Sequence, residues 1–203
     1  MEPEQRIVFP DNGFDGLIFD LDGTLVDSMP AHFEAWCRAL EAHGAGGIFP
    51  EDVFYAMGGM PTKDIVVELN GEHGLNLNPE AVCYAKREAY LASLDRVILH
   101  EEVVTFARAQ YGKVPLGVAT GSTRLGAEKT LQAVGLSDLF DEVVTSEDVP
   151  RGKPAPDIFL EAARRIGVEP GRCLAIEDAQ PGLLAAQAAG MKVVMVPAPL
   201  RVV

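Results

Sequence analysis

The sequence predicts an α/β fold, a doubly wound parallel sheet with an all-helical cap domain inserted after strand one. Three observations predict it. Short apolar runs recur along the chain and are continuous rather than alternating, as expected of strands covered on both faces. Helical patterns separate the later runs, and alternating strands and helices build a parallel sheet through right-handed crossovers. The interval between the first two strands, residues 28–114, is too long for a simple crossover, and its residues 28–97 carry helical patterning without a strand signal.

The first strand is Leu17-Ile18-Phe19, ending at Asp20. Within the insert, Phe33, Trp36, Cys37 and Leu40 share one helical face, closed by Gly44. Ile65, Val66 and Leu69 share a second, ending at Asn70-Gly71, and Asn78-Pro79 supplies the cap and first turn of a third. His100 to Tyr111 reads as the helix that returns to the sheet. Strands then follow at Leu116–Ala119, Glu142–Val144, Cys173–Ile176 and Val193–Val196. Phe159, Ala162, Ala163 and Ile166 mark a helix between the second and third of these runs, with Pro156 near its start and Gly167 after its end. Another runs from Pro181 to Gly190. The expected division is a core of residues 1–27 and 98–203 and a helical cap of residues 28–97.

The chain has 203 residues, enough for one large domain or one domain carrying a sizeable insert. Its formal net charge of −13 would be repelled by a phosphate backbone, so no nucleic-acid partner is expected. The apolar runs are too short to cross a bilayer, and Met1-Glu2-Pro3-Glu4-Gln5 lacks the shape of a secretion signal. Cys37, Cys83 and Cys173 are widely spaced, which argues against a zinc site or a disulfide scaffold. A cytoplasmic monomer with no membrane contact is the expectation.

Ligands of open parallel sheets bind beyond the carboxyl ends of the strands. Those positions hold Asp20-Leu21-Asp22-Gly23-Thr24, Thr120-Gly121-Ser122 and Glu177-Asp178, and Lys153-Pro154 precedes the helix leading to the last pair. Two carboxylates 4 Å apart repel by about 4 kcal/mol at an effective dielectric of 20. Such a cluster needs a counter-charge, and hard oxygen ligands suit Mg²⁺. One lysine and one divalent ion would make the pocket attractive to a phosphate, with Thr120 and the amides near Gly121 as further donors.

These residues resemble a known family. Phe19-Asp20-Leu21-Asp22-Gly23-Thr24-Leu25-Val26-Asp27-Ser28, Lys153-Pro154-Ala155-Pro156-Asp157 and Glu177-Asp178 repeat, in order and at similar spacing, the motifs of the haloacid-dehalogenase-type phosphohydrolases. The chain is most similar to their β-phosphoglucomutase-like subgroup, which includes bacterial fructose-1-phosphate phosphatases. The resemblance covers nearly the whole chain after about Gly16 and implies a Rossmann-like core. It implies that Asp20 is the nucleophile, forming an aspartyl-phosphate, and Asp22 the general acid and then base. It implies Mg²⁺ held by the side chains of Asp20 and Asp178 and the backbone carbonyl of Asp22, with Glu177 in or beside that shell. Thr120, Gly121 and Lys153 would hold the transferring phosphoryl group. In the cap, His32 matches a histidine that approaches the acid–base aspartate, and Trp36, Gly59 and Lys86 also match.

The chain departs from the mutase pattern twice. The mutase's cap arginine, which grips a second phosphate, falls here at or near Thr62, and Thr120-Gly121-Ser122 replaces a Ser-Ala-Ser type sequence. Lys63 offers only a point charge where the arginine offers a fork. The expected function is therefore a Mg²⁺-dependent phosphatase acting on a small phosphorylated metabolite, a sugar phosphate, with the mutase as the nearest rival. A phospho-aspartate receiver module is a rival of another class, but Asp22 and the long cap stand against it. Plainer roles stand beside the chemical ones. Asp178 and Thr120 could cap helices, Trp36 could be core, His32 could lie on the surface, and Lys63, Lys86 and Lys153 could be solvated.

Overall fold

The computed structural model describes residues 7–197 apart from Gly59, so the cap position expected at Gly59 lies outside the described residues. Strand β1 (Gly16–Phe19) is central to a five-stranded sheet with β4 (Leu116–Ala119), β5 (Glu142–Val144), β6 (Cys173–Glu177) and β7 (Lys192–Met195). The order is β5-β4-β1-β6-β7 and every pairing is parallel. Leu17 stands in register with Leu116 on one side and Leu174 on the other. The chain thus builds outward from β1 in both directions, and the order reverses beside it, between β1 and β6.

Alternation along β1 sorts its side chains onto two layers. Leu17 and Phe19 join a core with Val103, Val104 and Ala107 of α5 (Glu101–Gln110) and Ala127 and Leu131 of α6 (Arg124–Ala133). Ile18 faces the opposite layer, with Phe159 and Ala162 of α7 (Asp157–Ile166) and Ala185 of α8 (Gln180–Ala188). Helices on both faces explain the continuous apolar runs. The outermost strands depart from that expectation. β7 leaves Lys192 and Met195 exposed, and Glu142 and Val143 of β5 are only partly buried, because an edge strand lacks a neighbour on one side.

Between β1 and α5 the chain forms α1 (Met29–Ala42), α2 (Glu51–Ala56), α3 (Thr62–His73) and α4 (Pro79–Leu91). They share a separate core of Trp36, Leu40, Phe49, Phe54, Val66, Leu69 and Val82. Asn78 caps α4 by accepting from the Ala81 amide, and α3 ends at left-handed Gly74. The sequence reading needs two corrections here. It missed α2, whose six residues bury only Phe54. It also marked no strand at the two flanks of the insert, where β2 (Val26–Asp27) pairs antiparallel with β3 (Ile98–Leu99) as the chain leaves and re-enters the sheet body. Two-residue strands are too short to show a period. Among the described residues no helix is long and apolar enough to cross a membrane.

Candidate active site

The expected residues converge above the C-terminal ends of β1, β4 and β6. A cavity of about 550 Å³ lies between these strand ends and α1–α4, and Asp20, Asp22, His32, Thr62, Lys63, Lys86, Thr120, Gly121, Glu177 and Asp178 all line it. Lys153 is buried beneath the floor. Its ammonium donates to Asp20 Oδ1 at 2.5 Å and to Glu177 Oε1 at 2.6 Å. Burial disfavours the charged lysine, but the two carboxylates outweigh that and raise its pKa. Asp20 Oδ2 accepts no hydrogen bond among the described residues, and Asp20 lines the cavity.

Asp22 is held by donors from three parts of the chain. Ser28 Oγ donates to Oδ1 at 2.6 Å, Ser122 Oγ donates to Oδ2 at 2.7 Å, and His32 Nε2 lies 3.0 Å from Oδ1. Thr120 Oγ1 adds a longer contact of 3.4 Å to Oδ2. Burial alone would raise the Asp22 pKa, but His32 and the two serine hydroxyls bring it well below the usual carboxylate range. Lys86 Nζ lies 2.9 Å from His32 Nδ1. An ammonium can only donate, so Nδ1 accepts and the imidazole proton sits on Nε2, aimed at Asp22. Burial brings the Lys86 pKa down to about 8.

Gly23 makes the turn after Asp22 possible. Its φ is +95°, and a Cβ there would come within 2.2 Å of Asp178 Oδ2. Asp178 Oδ1 accepts from Thr24 Oγ1 at 2.9 Å, so Asp178 faces the β1 loop and does not cap α8, whose N-cap is Ala179. Burial, then Glu177, pushes the Asp178 pKa up to about 7; burial also raises that of Asp20. Four carboxylates share two ammonium groups here, so the donor set is short of positive charge. Hard oxygens in such a deficit fit Mg²⁺. Among the described residues no three His, Cys, Asp or Glu side chains form a metal cluster by themselves. The expected set asks for less, two carboxylates and one carbonyl, and Mg²⁺ keeps several waters or phosphate oxygens. Glu177 directs its two oxygens to Lys153 and the Ala179 amide.

Besides those of Asp178 and Lys153, three plainer readings are corrected. His32 is buried rather than on the surface, stacked on Tyr90 with ring centroids 3.8 Å apart. Lys86 is partly buried and engaged with His32, because packing of α1 on α4 turns it inward. Thr123, not Thr120, caps α6 by accepting from the Gly126 amide; the helix starts too late for Thr120, whose Oγ1 instead accepts from the Ser122 amide at 3.0 Å. The α6 amide of Arg124 already meets a carboxylate, Glu147 Oε2, at 3.2 Å. Trp36 is core, 5.3 Å from Phe49 edge to face, while one side lines the cavity. Lys63 is exposed and paired with Glu80 at 2.5 Å. Ser28, Thr24 and Ser122 lie within the sequence motifs, but only the fold shows what their hydroxyls hold.

A family model described as haloacid dehalogenase-like hydrolase matches residues 14–190. The chain belongs to the haloacid dehalogenase-like hydrolases. Among its relatives in this family is the Escherichia coli (strain K12) protein named fructose-1-phosphate phosphatase YqaB, 39% identical over 182 residues, 88% of this chain and 94% of that one. The crystal structure of CbbY from Rhodobacter sphaeroides in complex with phosphate superposes with a TM-score of 0.82 at 25% identity, covering 91% of this chain and 86% of that one. A β-phosphoglucomutase from Clostridium difficile shares the fold, with a TM-score of 0.78 at 23% identity over 89% of this chain and 83% of that one.

Proposed function

We propose that this haloacid dehalogenase-like hydrolase is a Mg²⁺-dependent phosphatase that cleaves a small sugar phosphate through an aspartyl-phosphate on Asp20. It is a phosphoric monoester hydrolase by family. The observation that carries the finer reading is the pairing of two differently held aspartates under one cavity. Asp20 is pinned by Lys153 through one oxygen, and Asp22 is oriented by Ser28, Ser122 and His32.

Asp20 Oδ2 attacks phosphorus and the bond from phosphorus to the sugar oxygen breaks. Asp22, held as a carboxylate by its donors in the free protein, must take up a proton from solvent as the phosphate dianion enters, and it delivers that proton to the leaving oxygen, which departs as an alcohol. Asp22 then takes a proton from water as the water oxygen attacks phosphorus, releasing inorganic phosphate and restoring the Asp20 carboxylate. Lys153 and Thr120 offset and orient the phosphoryl oxygens, with Gly121 beside them. Asp20, Asp178 and the Asp22 carbonyl would hold Mg²⁺, whose chemistry there would be to supply the remaining positive charge. Helices α1–α4 cover the site, excluding water and lining the space for the leaving group.

Support for a sugar phosphate comes from the name of the E. coli relative and from a cavity large enough for a hexose. Thr62 stands where the mutase pattern has its arginine, and Lys63 is already paired with Glu80, which favours hydrolysis over transfer to a second sugar hydroxyl. Asp20→Asn is expected to abolish Mg²⁺-dependent phosphate release from a panel of sugar phosphates; retained turnover removes Asp20 as nucleophile. Incubation with β-glucose 1-phosphate and a trace of the bisphosphate separates the rival, since glucose 6-phosphate as product would mark a mutase.

A further inference from the structure

The geometry points to Tyr90 as a positioning residue for this site, acting on Asp22 through the His32 ring. The inference rests on the phosphatase reading. Tyr90 is 3% exposed, near the C-terminal end of α4, and neither the strand ends nor the sequence motifs mark it. Its ring lies against the His32 imidazole at 3.8 Å with only 11° between the planes. Hydrogen bonds from Lys86 and to Asp22 hold the His32 ring by its two nitrogens, in-plane contacts that resist an out-of-plane tilt of the ring only weakly. A flat aromatic face stacked on that ring removes the tilt.

Tyr90 is itself held from the far side. Its hydroxyl is 2.8 Å from Thr130 Oγ1 on α6. Thr130 uses its own proton to donate to the Gly126 carbonyl at 2.9 Å, so the phenol must be the donor. Gly126 lies in the first turn of α6, directly after the loop that presents Thr120 and Ser122. Tyr90 therefore ties α4 to the helix whose leading loop also contacts Asp22. The two sets of Asp22 donors, His32 on one side and Ser122 on the other, are kept in register through one side chain. Burial pushes the phenol pKa up, which keeps the donating proton in place.

Two variants and one spectroscopic measurement test this. Tyr90→Phe keeps the ring and loses only the anchor; Tyr90→Met fills similar space with a flexible chain and no flat face. With a sugar phosphate that the wild type turns over, Tyr90→Met is expected to lower kcat by about tenfold or more, as befits a misaligned acid–base group, with KM changed by less than about threefold. Tyr90→Phe is expected to recover most of kcat. Equal loss in both variants, loss confined to KM, or no loss in Tyr90→Met would overturn the inference. NMR of the wild type gives an answer that needs neither turnover nor a Tyr90 variant. The His32 ring protons, assigned by their absence in His32→Asn, should be shifted upfield by the stacked phenol, and a shift typical of an unstacked histidine would refute the assignment. A wild type that releases no phosphate from any substrate tested, while showing the upfield shift, would sink the phosphatase reading and leave the stack standing.

Discussion

Gly182 offers a stringent check because two local rules point in opposite directions. It lies inside α8, in ordinary helical conformation, where alanine is worth about 1 kcal/mol more than glycine. On propensity alone Gly182→Ala should stabilise. In the folded protein, however, a Cβ at this position would stand 1.5 Å from Glu177 Oε1, 1.9 Å from Cδ and 2.7 Å from Cγ. The obstruction involves most of the side chain, not a free tip. Glu177 is 1% exposed and held at both oxygens, by Lys153 at 2.6 Å and by the Ala179 amide at 2.7 Å. Alanine must displace it, leaving a buried ammonium with Asp20 alone. Breaking a buried ion pair costs about 3–5 kcal/mol, so after the gain in propensity the net loss is about 2–4 kcal/mol. For a chain of this size that is a fall in Tm of about 4–16 °C. Thermal unfolding followed by circular dichroism measures it. The background variant Glu177→Ala supplies the control: with the carboxylate gone, Gly182→Ala should become neutral or stabilising. An unchanged or higher Tm for Gly182→Ala in the otherwise wild-type chain would refute the close approach of α8 to the site floor.

Gly23→Ala should displace Asp178, since its Cβ would meet the carboxylate at 2.2 Å. The Mg²⁺ concentration needed for half-maximal phosphate release is expected to rise about 10–100-fold, read from a metal titration of activity. Asp148, 18% exposed at its side chain, ties Arg124 of α6 and Arg165 of α7 to the Thr145 backbone and hydroxyl. Burial opposes its charge, but the Thr145 and arginine donors hold its pKa down to about 2. A depressed carboxylate stabilises the fold above its unfolded pKa and loses that contribution as pH falls through its folded one. Between about pH 4 and pH 2 the wild type should therefore lose about 1–2 kcal/mol more than Asp148→Asn, by urea unfolding at each pH.

The main architecture was legible because buried strands leave continuous apolar runs, and four of the five runs lie within or on the observed strands. The fifth slipped by one residue and sits on an edge, where exposure mixes Lys192 and Met195 into the pattern. Helix α2 and the β2–β3 pair were invisible for lack of length. In the site, Asp20, Asp22, Thr120, Lys153, Glu177 and Asp178 could be brought together on paper because each adjoins a strand end or the helix leading to one. His32 and Lys86 could be matched but not weighed: their environment is made by α1 packing on α4, which the sequence of neither helix shows. Tyr90 and Gly182 carry no local signal at all. One acts across the seam between α4 and α6, and the other matters for the side chain it lacks.

The placement of Asp22 explains why residues so far apart in sequence belong to one chemical unit. A carboxylate whose partners all came from the sheet would keep the same orientation wherever α1–α4 lay. Asp22 instead takes Ser28 from the segment joining β2 to α1, His32 from α1 itself, and Ser122 from the loop after β4. Lys86, on α4, reaches it only by way of His32. Orientation of Asp22 is thus a joint property of the helical insert and the sheet, whereas the Asp20–Lys153–Glu177 chain is built wholly from strand ends and the loop before α7. Substitutions in the insert should alter how well Asp22 is aimed while leaving the Asp20–Lys153 contact intact, and substitutions behind the floor, such as at Gly182, should do the reverse.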